Sequence, residues 1–304
     1  MNSSFSVKFQ ASLELMRPAN IVTAFADILA GAAAAMGILS VTHGYGFPAD
    51  PALFWLLVST FGLYGGGIVF NDVFDAPLDE KERPERAIPS GRISRQVASV
   101  LGATLFLIGI GAAFWVNSTA GIIATATAVL ALLYDANAKH SVFFGPLIMG
   151  SCRAGNLLLG AAFIPSALEL LWPLGFIPIF YIGSITLISR GEVHGGSKRT
   201  GILATSTIIA VTSILALLSL LPEYELIRAL PFILIFGGFV IPAYFKATFD
   251  PSPGTIKKAV KRGVISLIIL NSAIAAGFGG FVAGLLVLSL LPLSYWFSRI
   301  FAVT

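Results

Sequence analysis

Charged side chains are scarce in this chain. Lysine, arginine, aspartate and glutamate make up 11% of its 304 residues, against about 25% in a soluble domain. A water-soluble globule is excluded on that ground. Cysteine is nearly missing as well. Cys152 stands alone inside an apolar run, so the chain can form no internal disulfide, and the residue reads as packing. The apolar stretches lack the two-residue alternation of barrel strands. No cleavable signal peptide is evident: Met1 to Gln10 is polar, and the first apolar run starts only after Arg17-Pro18.

What is abundant is apolar. Hydrophobic residues make up 56% of the sequence and the mean hydropathy is +0.88. Apolar segments fall at roughly 19–40, 52–70, 97–116, 118–134, 143–164, 172–189, 201–221, 228–247, 260–278 and 280–302. Each is about the ~20 residues a helix needs to cross a bilayer. The fold class is therefore all-α: a polytopic membrane helix bundle with nine to ten spans, forming one domain over 1–304. The last two segments, joined by Gly277-Phe278-Gly279-Gly280, read either as two spans or as one span with a broken tail.

The connections alternate in charge. One set holds Lys8 and Arg17; Lys81 to Arg95; Lys139; Arg190, Lys198 and Arg199; and Lys246 to Arg262. The other holds Asp50, Glu169, Glu223 and Glu225, with Arg228 its only base. Positive residues stay inside, which puts the N-terminus and the first set in the cytoplasm of a bacterial inner membrane. The net charge of +4 thus reads as topology signal and phosphate ligand, and no nucleic acid is expected as a partner. Lys257, Lys258, Lys261 and Arg262 look like a basic approach to a span that touches anionic headgroups.

Asn71-Asp-Val-Phe-Asp-Ala-Pro-Leu-Asp79 follows a wholly apolar segment. Four-residue spacing brings Asn71, Asp75 and Asp79 toward one helix face. Oxygen ligands so arranged can hold Mg2+, whose shell phosphate and water complete. Arg83, Arg86 and Arg92 come next, and guanidinium groups fork onto phosphate oxygens. Carboxylates at a membrane boundary are costly and tend to be functional, whereas Glu80, Glu82 and Glu85 read as solvated. Asp72 is a further candidate for metal or proton acceptance.

Asn-x-x-x-Asp-x-x-x-Asp after a second span, then Arg-Pro-x-Arg-x-Ile-Pro-Ser-Gly, resembles the first signature of the UbiA superfamily of intramembrane prenyltransferases. Arg17-Pro18-Ala19-Asn20 resembles the motif that opens that family's first helix. The resemblance covers essentially the whole chain. It implies a bundle around a central cavity open to the cytoplasmic side, with Mg2+ at the mouth. It also implies an isoprenyl diphosphate as donor, a small aromatic or secondary-metabolite acceptor, and membrane lipid as surroundings. On this basis Asp72, Asp75 and Asp79 are the catalytic candidates, and Asn71, Asp75, Asp79 and Glu192 the metal candidates. Arg83, Arg86, Lys139, Arg153, Lys198 and Arg199 are the diphosphate candidates, and Asn20, Asp27, Tyr134 and Glu192 the acceptor-pocket candidates.

Two elements need separate mention. Tyr134-Asp-Ala-Asn-Ala-Lys139 resembles the family's Tyr…Lys element; Lys139 reads equally as a diphosphate ligand or a topology anchor, and Asp135 as its ion-pair partner. The family's second acidic signature is reduced here to Glu192, among Arg190, His194, Lys198 and Arg199. This loop, with the Gly145–Gly160 stretch, resembles a divergent UbiA-like branch found in bacterial ebo-type gene clusters. It leaves a second reading open: a non-catalytic membrane protein that binds or helps export a prenyl-lipid or metabolite precursor. Inside the spans, Asn20 and Asp27 share one face and Arg153 and Asn156 another. Arg153 is expected to meet Asp27, an aspartate of the first motif, or the diphosphate.

Overall fold

The computed structural model describes residues 10–43 and 51–300, all helix and turn with no strand among them. Lys8, Asp50 and the polar stretch before Gln10 lie outside the described residues. After a helical stretch over 10–16 come α1 (Pro18–His43), α2 (Pro51–Glu82), α3 (Arg95–Val116), α4 (Ser118–Ala136), α5 (Phe144–Ala161), α6 (Phe176–Ser189), α7 (Lys198–Leu217), α8 (Leu226–Phe249), α9 (Pro253–Gly279), α10 (Phe281–Leu288) and α11 (Leu290–Ile300).

Local signals explain the breaks. Asn117 ends α3 and starts α4: its backbone N–H donates to the Ala113 carbonyl, and its side chain accepts from the Ala120 N–H. Ser94 and Ser197 cap α3 and α7 in the same way. Pro253 opens α9, where its missing N–H costs nothing. Gly280, at φ 92°, turns the chain from α9 into α10.

Each helix from α2 to α9 packs on its neighbour in sequence, and α1 closes the ring against α9, α2 and α5. α1 and α9 are buried along most of their length. Ala32 to Ala35 and Gly31 on α1 leave room for that approach. A Cβ on Gly31 would lie 2.1 Å from the Leu157 carbonyl oxygen, and one on Gly160 2.3 Å from that of Ile28. Gly31→Ala is therefore expected to push α1 off α5 and to cost about 1–3 kcal/mol, read as a lower thermal midpoint in detergent. Gly111→Ala, which meets nothing within 4 Å, is the neutral comparison.

Large apolar side chains cover the outside, among them Leu107, Trp115, Leu220 and Ile227. In water that surface would aggregate; in a bilayer it is the solvated face. Among the described residues nine segments are long and apolar enough to span. α5 fails that composition test because it carries Arg153 and Asn156, yet its ends sit at opposite ends of the bundle. At one, Asn117 donates to the Ala162 carbonyl (2.9 Å); at the other, Arg190 donates to the carbonyls of Lys139 and Ser141 beside the start of α5. α10 and α11 together form the last crossing, and Ser294 returns to the start of α1 by donating to the Ala19 carbonyl (3.1 Å). With α5 added, ten segments among the described residues run between the two ends of the bundle, and α11 ends on the same side as the Asn71–Asp79 motif.

Candidate active site at the mouth of the central chamber

α2 runs for 32 residues, about 48 Å of helix, well beyond the ~30 Å hydrocarbon layer. Its last turns therefore carry the acidic motif out of the apolar core. There they meet a chamber of about 460 Å³. Arg17 and Asn20 reach it from the start of α1, Asn71 and Asp75 from α2, and Arg83 and Arg86 from the following loop. Tyr134, Asp135 and Lys139 come from the end of α4, and Glu192 from the loop after α6. The loop that holds Arg83 and Arg86 is fixed by backbone bonds from Arg86 to Arg83, Ser90 to Arg86 and Ile93 to Ala87.

The motif does not present a single row. Each residue turns a helix by about 100°, so Asn71 and Asp75 point within about 40° of each other while Asp79 has drifted about 80° from Asn71. Asp72 and Asp79, seven apart, differ by only about 20°. The acids accordingly split into two pairs. Asn71 and Asp75 face the chamber. Asp72 and Asp79 are buried and share Arg86, whose guanidinium lies 3.2 Å from Asp72 and 2.9 Å from Asp79. Arg17 adds a second cation to Asp72 at 2.8 Å. Asp79 and Asp72 thus stand behind two arginines that do line the chamber, rather than in it.

On the chamber side, Lys139 pairs with Asp75 at 2.5 Å, and Asn71 donates to Asp135 at 2.8 Å. Asp135 therefore takes Asn71 as its hydrogen-bond partner, and Lys139 goes to Asp75. Across the mouth, one Glu192 oxygen is buried with no hydrogen-bond partner. Burial raises the Glu192 carboxyl above the usual glutamate range, against the lowering effect of Lys257 and Arg83. A carboxyl raised by folding stabilises the fold below its ordinary value, and that contribution is lost as pH rises through the raised one. Without metal, the thermal midpoint should fall as pH climbs through that window, and Glu192→Gln should flatten the profile. An identical slope in the variant would place the titration elsewhere.

These donors suit a hard divalent ion: amide and carboxylate oxygens only, one of them orphaned and buried. Among the described residues no three acidic, histidine or cysteine side chains converge closely enough to hold a metal alone. An ion held there would need phosphate oxygens and water to complete its shell, which suits Mg2+.

Deeper in, Arg153 lines the chamber with its guanidinium 4.8 Å from the centre of the Tyr64 ring. Of its three expected partners it takes Asp27, at 2.9 Å, with both side chains 3% exposed. Asp27 also accepts from Asn156 (2.9 Å) and Asn271 (2.6 Å), Thr60 donates to Asn156 (2.6 Å), and Arg153 donates to Thr23. Asp27 therefore sits behind the chamber wall and does not line the pocket, which corrects its reading as an acceptor contact. Asn20, Tyr134 and Glu192 do line it. Lys198 and Arg199 do not. Both are exposed at the start of α7, and Lys198 lies over the Phe249 ring at 5.1 Å. The sequence reading passed over Arg17 as a site residue and Asn271 altogether. A lone amide inside an apolar span is itself a readable signal, and Arg17 opens the Arg-Pro-Ala-Asn motif.

The sequence profile of the UbiA prenyltransferase family matches residues 28–265. The digeranylgeranylglyceryl phosphate synthase of Methanococcoides burtonii is 37% identical over 49% of this chain. That match spans about half, 53%, of the relative's own length. The protein of the same name from Methanosarcina mazei is 31% identical over 75% of this chain and 84% of its own. A solved digeranylgeranylglyceryl phosphate synthase superposes with a TM-score of 0.66 at 23% identity, over 90% of this chain and 99% of that one. A UbiA homologue from Archaeoglobus fulgidus, bound to DMAPP and Mg2+, gives 0.56 at 15% identity, over 91% and 99%. The two structures share the fold, and these matches do not establish the ebo-type branch. With the profile running from inside α1 to inside α9, the chain belongs to the UbiA prenyltransferase family.

Proposed function

We propose that the protein transfers an isoprenyl group from an allylic diphosphate to a hydroxyl-bearing acceptor that enters from the bilayer. The observation that carries this reading is the division of the chamber. Asn71, Asp75, Asp135, Glu192, Arg17, Arg83, Arg86 and Lys139 crowd its mouth, while Leu63, Tyr64, Ile68, Ile182, Ile185 and Leu267 line it beyond, with Arg153 and Asn156 the polar groups deeper in. A diphosphate lodges among the charges and its chain among the apolar groups. Asn71, Asp75 and Glu192 are the side chains that would hold Mg2+, which supplies positive charge to the leaving diphosphate. Arg17, Arg83 and Arg86 add fixed donors for its oxygens. Asp72 and Asp79 act through Arg17 and Arg86 by holding them in place.

The allylic carbon–oxygen bond breaks with its electron pair on the diphosphate. The acceptor oxygen bonds to the carbon and its proton leaves for a base. Apolar walls keep water from capturing the cation first.

The relatives' names point to a glyceryl phosphate lipid as acceptor class, in place of a small aromatic one. The basic connections gather at the motif end of the bundle, so we place that end and the N-terminus in the cytoplasm, in a prokaryotic plasma membrane. The test is incubation of purified protein with labelled geranylgeranyl diphosphate and Mg2+, with either a prenylated glyceryl phosphate or a phenolic acid. Labelled lipid product from the first supports the reading. Product only from the phenol moves the acceptor class. Tight donor binding with no turnover on either would leave a carrier.

A further inference from the structure

A second concavity lies on the outer side of α9, behind the chamber. Its volume is about 910 Å³. Phe239, Pro242, Ala243 and Lys246 border it from α8, Lys258, Lys261, Arg262 and Ile265 from α9, and Leu291, Pro292 and Tyr295 from α11. On α9 these positions follow an i, i+3/i+4, i+7 stripe. The other face of the same helix gives Val260, Val264 and Leu267 to the chamber.

The groove is graded by depth. α8 runs toward the motif end and carries Lys246 in its last turn; α9 runs away from it and carries Lys258 in its second turn. Both helices therefore place cations at headgroup level and Phe239 and Ile265 below them. α11 repeats the order, with Leu291 deep, Tyr295 above it and Arg299 outermost, its guanidinium 4.7 Å from the Tyr295 ring centre.

Charge separates this groove from the chamber. At the chamber, Arg17, Arg86, Lys139 and Arg153 all sit in ion pairs with aspartates. In the groove, Lys246, Lys258, Lys261 and Arg262 are exposed, no acid lines the wall, and among the described residues none of the four is in an ion pair. Arg262 rests on the Phe239 ring at 5.4 Å, which orients the cation and leaves its charge unspent. Asp250, one turn past Lys246, is engaged by the Thr255 hydroxyl and the Ser252 N–H.

We infer that this groove is a binding site for an anionic phospholipid of the surrounding bilayer, its phosphate held by Lys258, Lys261, Arg262 and Lys246 and an acyl chain lying along Phe239, Ile265 and Leu291. Four exposed cations, none in an ion pair and with Asp250 beside Lys246 as the acid within electrostatic reach, attract an anionic headgroup, and a neutral lipid would leave them unpaired. The bound lipid ties α8, α9 and α11 together on the back of the chamber wall.

Full-length protein in nanodiscs of phosphatidylcholine with a minor share of phosphatidylglycerol, released for native mass spectrometry, tests this. Wild type should retain phosphatidylglycerol in preference to phosphatidylcholine. The variant K258Q/K261Q/R262Q should lower that preference about tenfold or more. The charge-keeping K258R/K261R/R262K and the surface variant K81Q/R95Q/R199Q should keep it, which separates a lost site from a damaged fold. Equal retention of the two lipids by wild type, or unchanged preference in the triple glutamine variant, overturns the proposal. So does displacement of the lipid by inorganic diphosphate, which would mark a soluble-anion site, or a dimer mass in place of lipid adducts, which would mark a second copy in the groove.

Discussion

Asp75→Ala is expected to lower prenyl transfer by about 10²–10³-fold with little change in thermal stability. Asp75 faces the chamber, its side chain is 22% exposed, and among the described residues its ion pair is with Lys139. On the proposed function, removing it would take a carboxylate from the metal site and free Lys139 to bind phosphate oxygen. Donor binding should survive while its dependence on Mg2+ weakens. Asp79→Asn should behave differently. Asp79 is buried against Arg86, so the change loosens an arginine and should raise KM for the diphosphate more than it lowers kcat. Steady-state kinetics over a Mg2+ titration distinguishes the two. Equal kcat losses for both variants would mean that the two acids share one role, against the split that helix geometry gives them.

The second large effect concerns stability. Arg153→Met should destabilise the protein by about 3–5 kcal/mol, because it leaves a buried aspartate without its cation. Asp27 keeps hydrogen bonds from Asn156 and Asn271, but amide dipoles do not replace a full charge at that depth. The double variant Asp27→Leu/Arg153→Met should recover most of the loss, since exchanging both members of a buried pair for apolar residues is often neutral or stabilising. Thermal midpoints of the two variants in detergent decide this. If the double variant stays as unstable as the single one, Arg153 holds something other than Asp27. If it recovers stability and loses transfer, the guanidinium over Tyr64 also contacts the substrate.

The spans were legible because a bilayer demands long apolar runs and this sequence has little else. Four-residue spacing puts Asn71, Asp75 and Asp79 on one face; in the structure Asn71 and Asp75 line the chamber and Asp79 does not, since the drift of a 3.6-residue turn accumulates over two steps. That Asp72 and Asp79 would share Arg86 follows from their seven-residue separation once the arginine loop is known to fold back, and the loop's path is set by turns that sequence alone does not fix. Arg153 announced itself by the cost of a cation in an apolar helix. Its choice of Asp27 depended on α1 and α5 touching through Gly31 and Gly160, a contact between segments more than a hundred residues apart. Lys198 and Arg199 lie near Glu192 in sequence, but the Ser197 cap starts a new helix there and both are exposed outside the chamber lining.

The most direct measurement uses Mn2+ in place of Mg2+ and electron–nuclear double resonance on the protein with geranyl diphosphate. The account predicts a phosphorus coupling from the bound diphosphate to the metal in wild type, and its loss in Asp75→Ala. A metal with no phosphorus coupling, or a coupling that the variant leaves unchanged, would contradict a chamber mouth that grips the diphosphate through an ion held by Asp75.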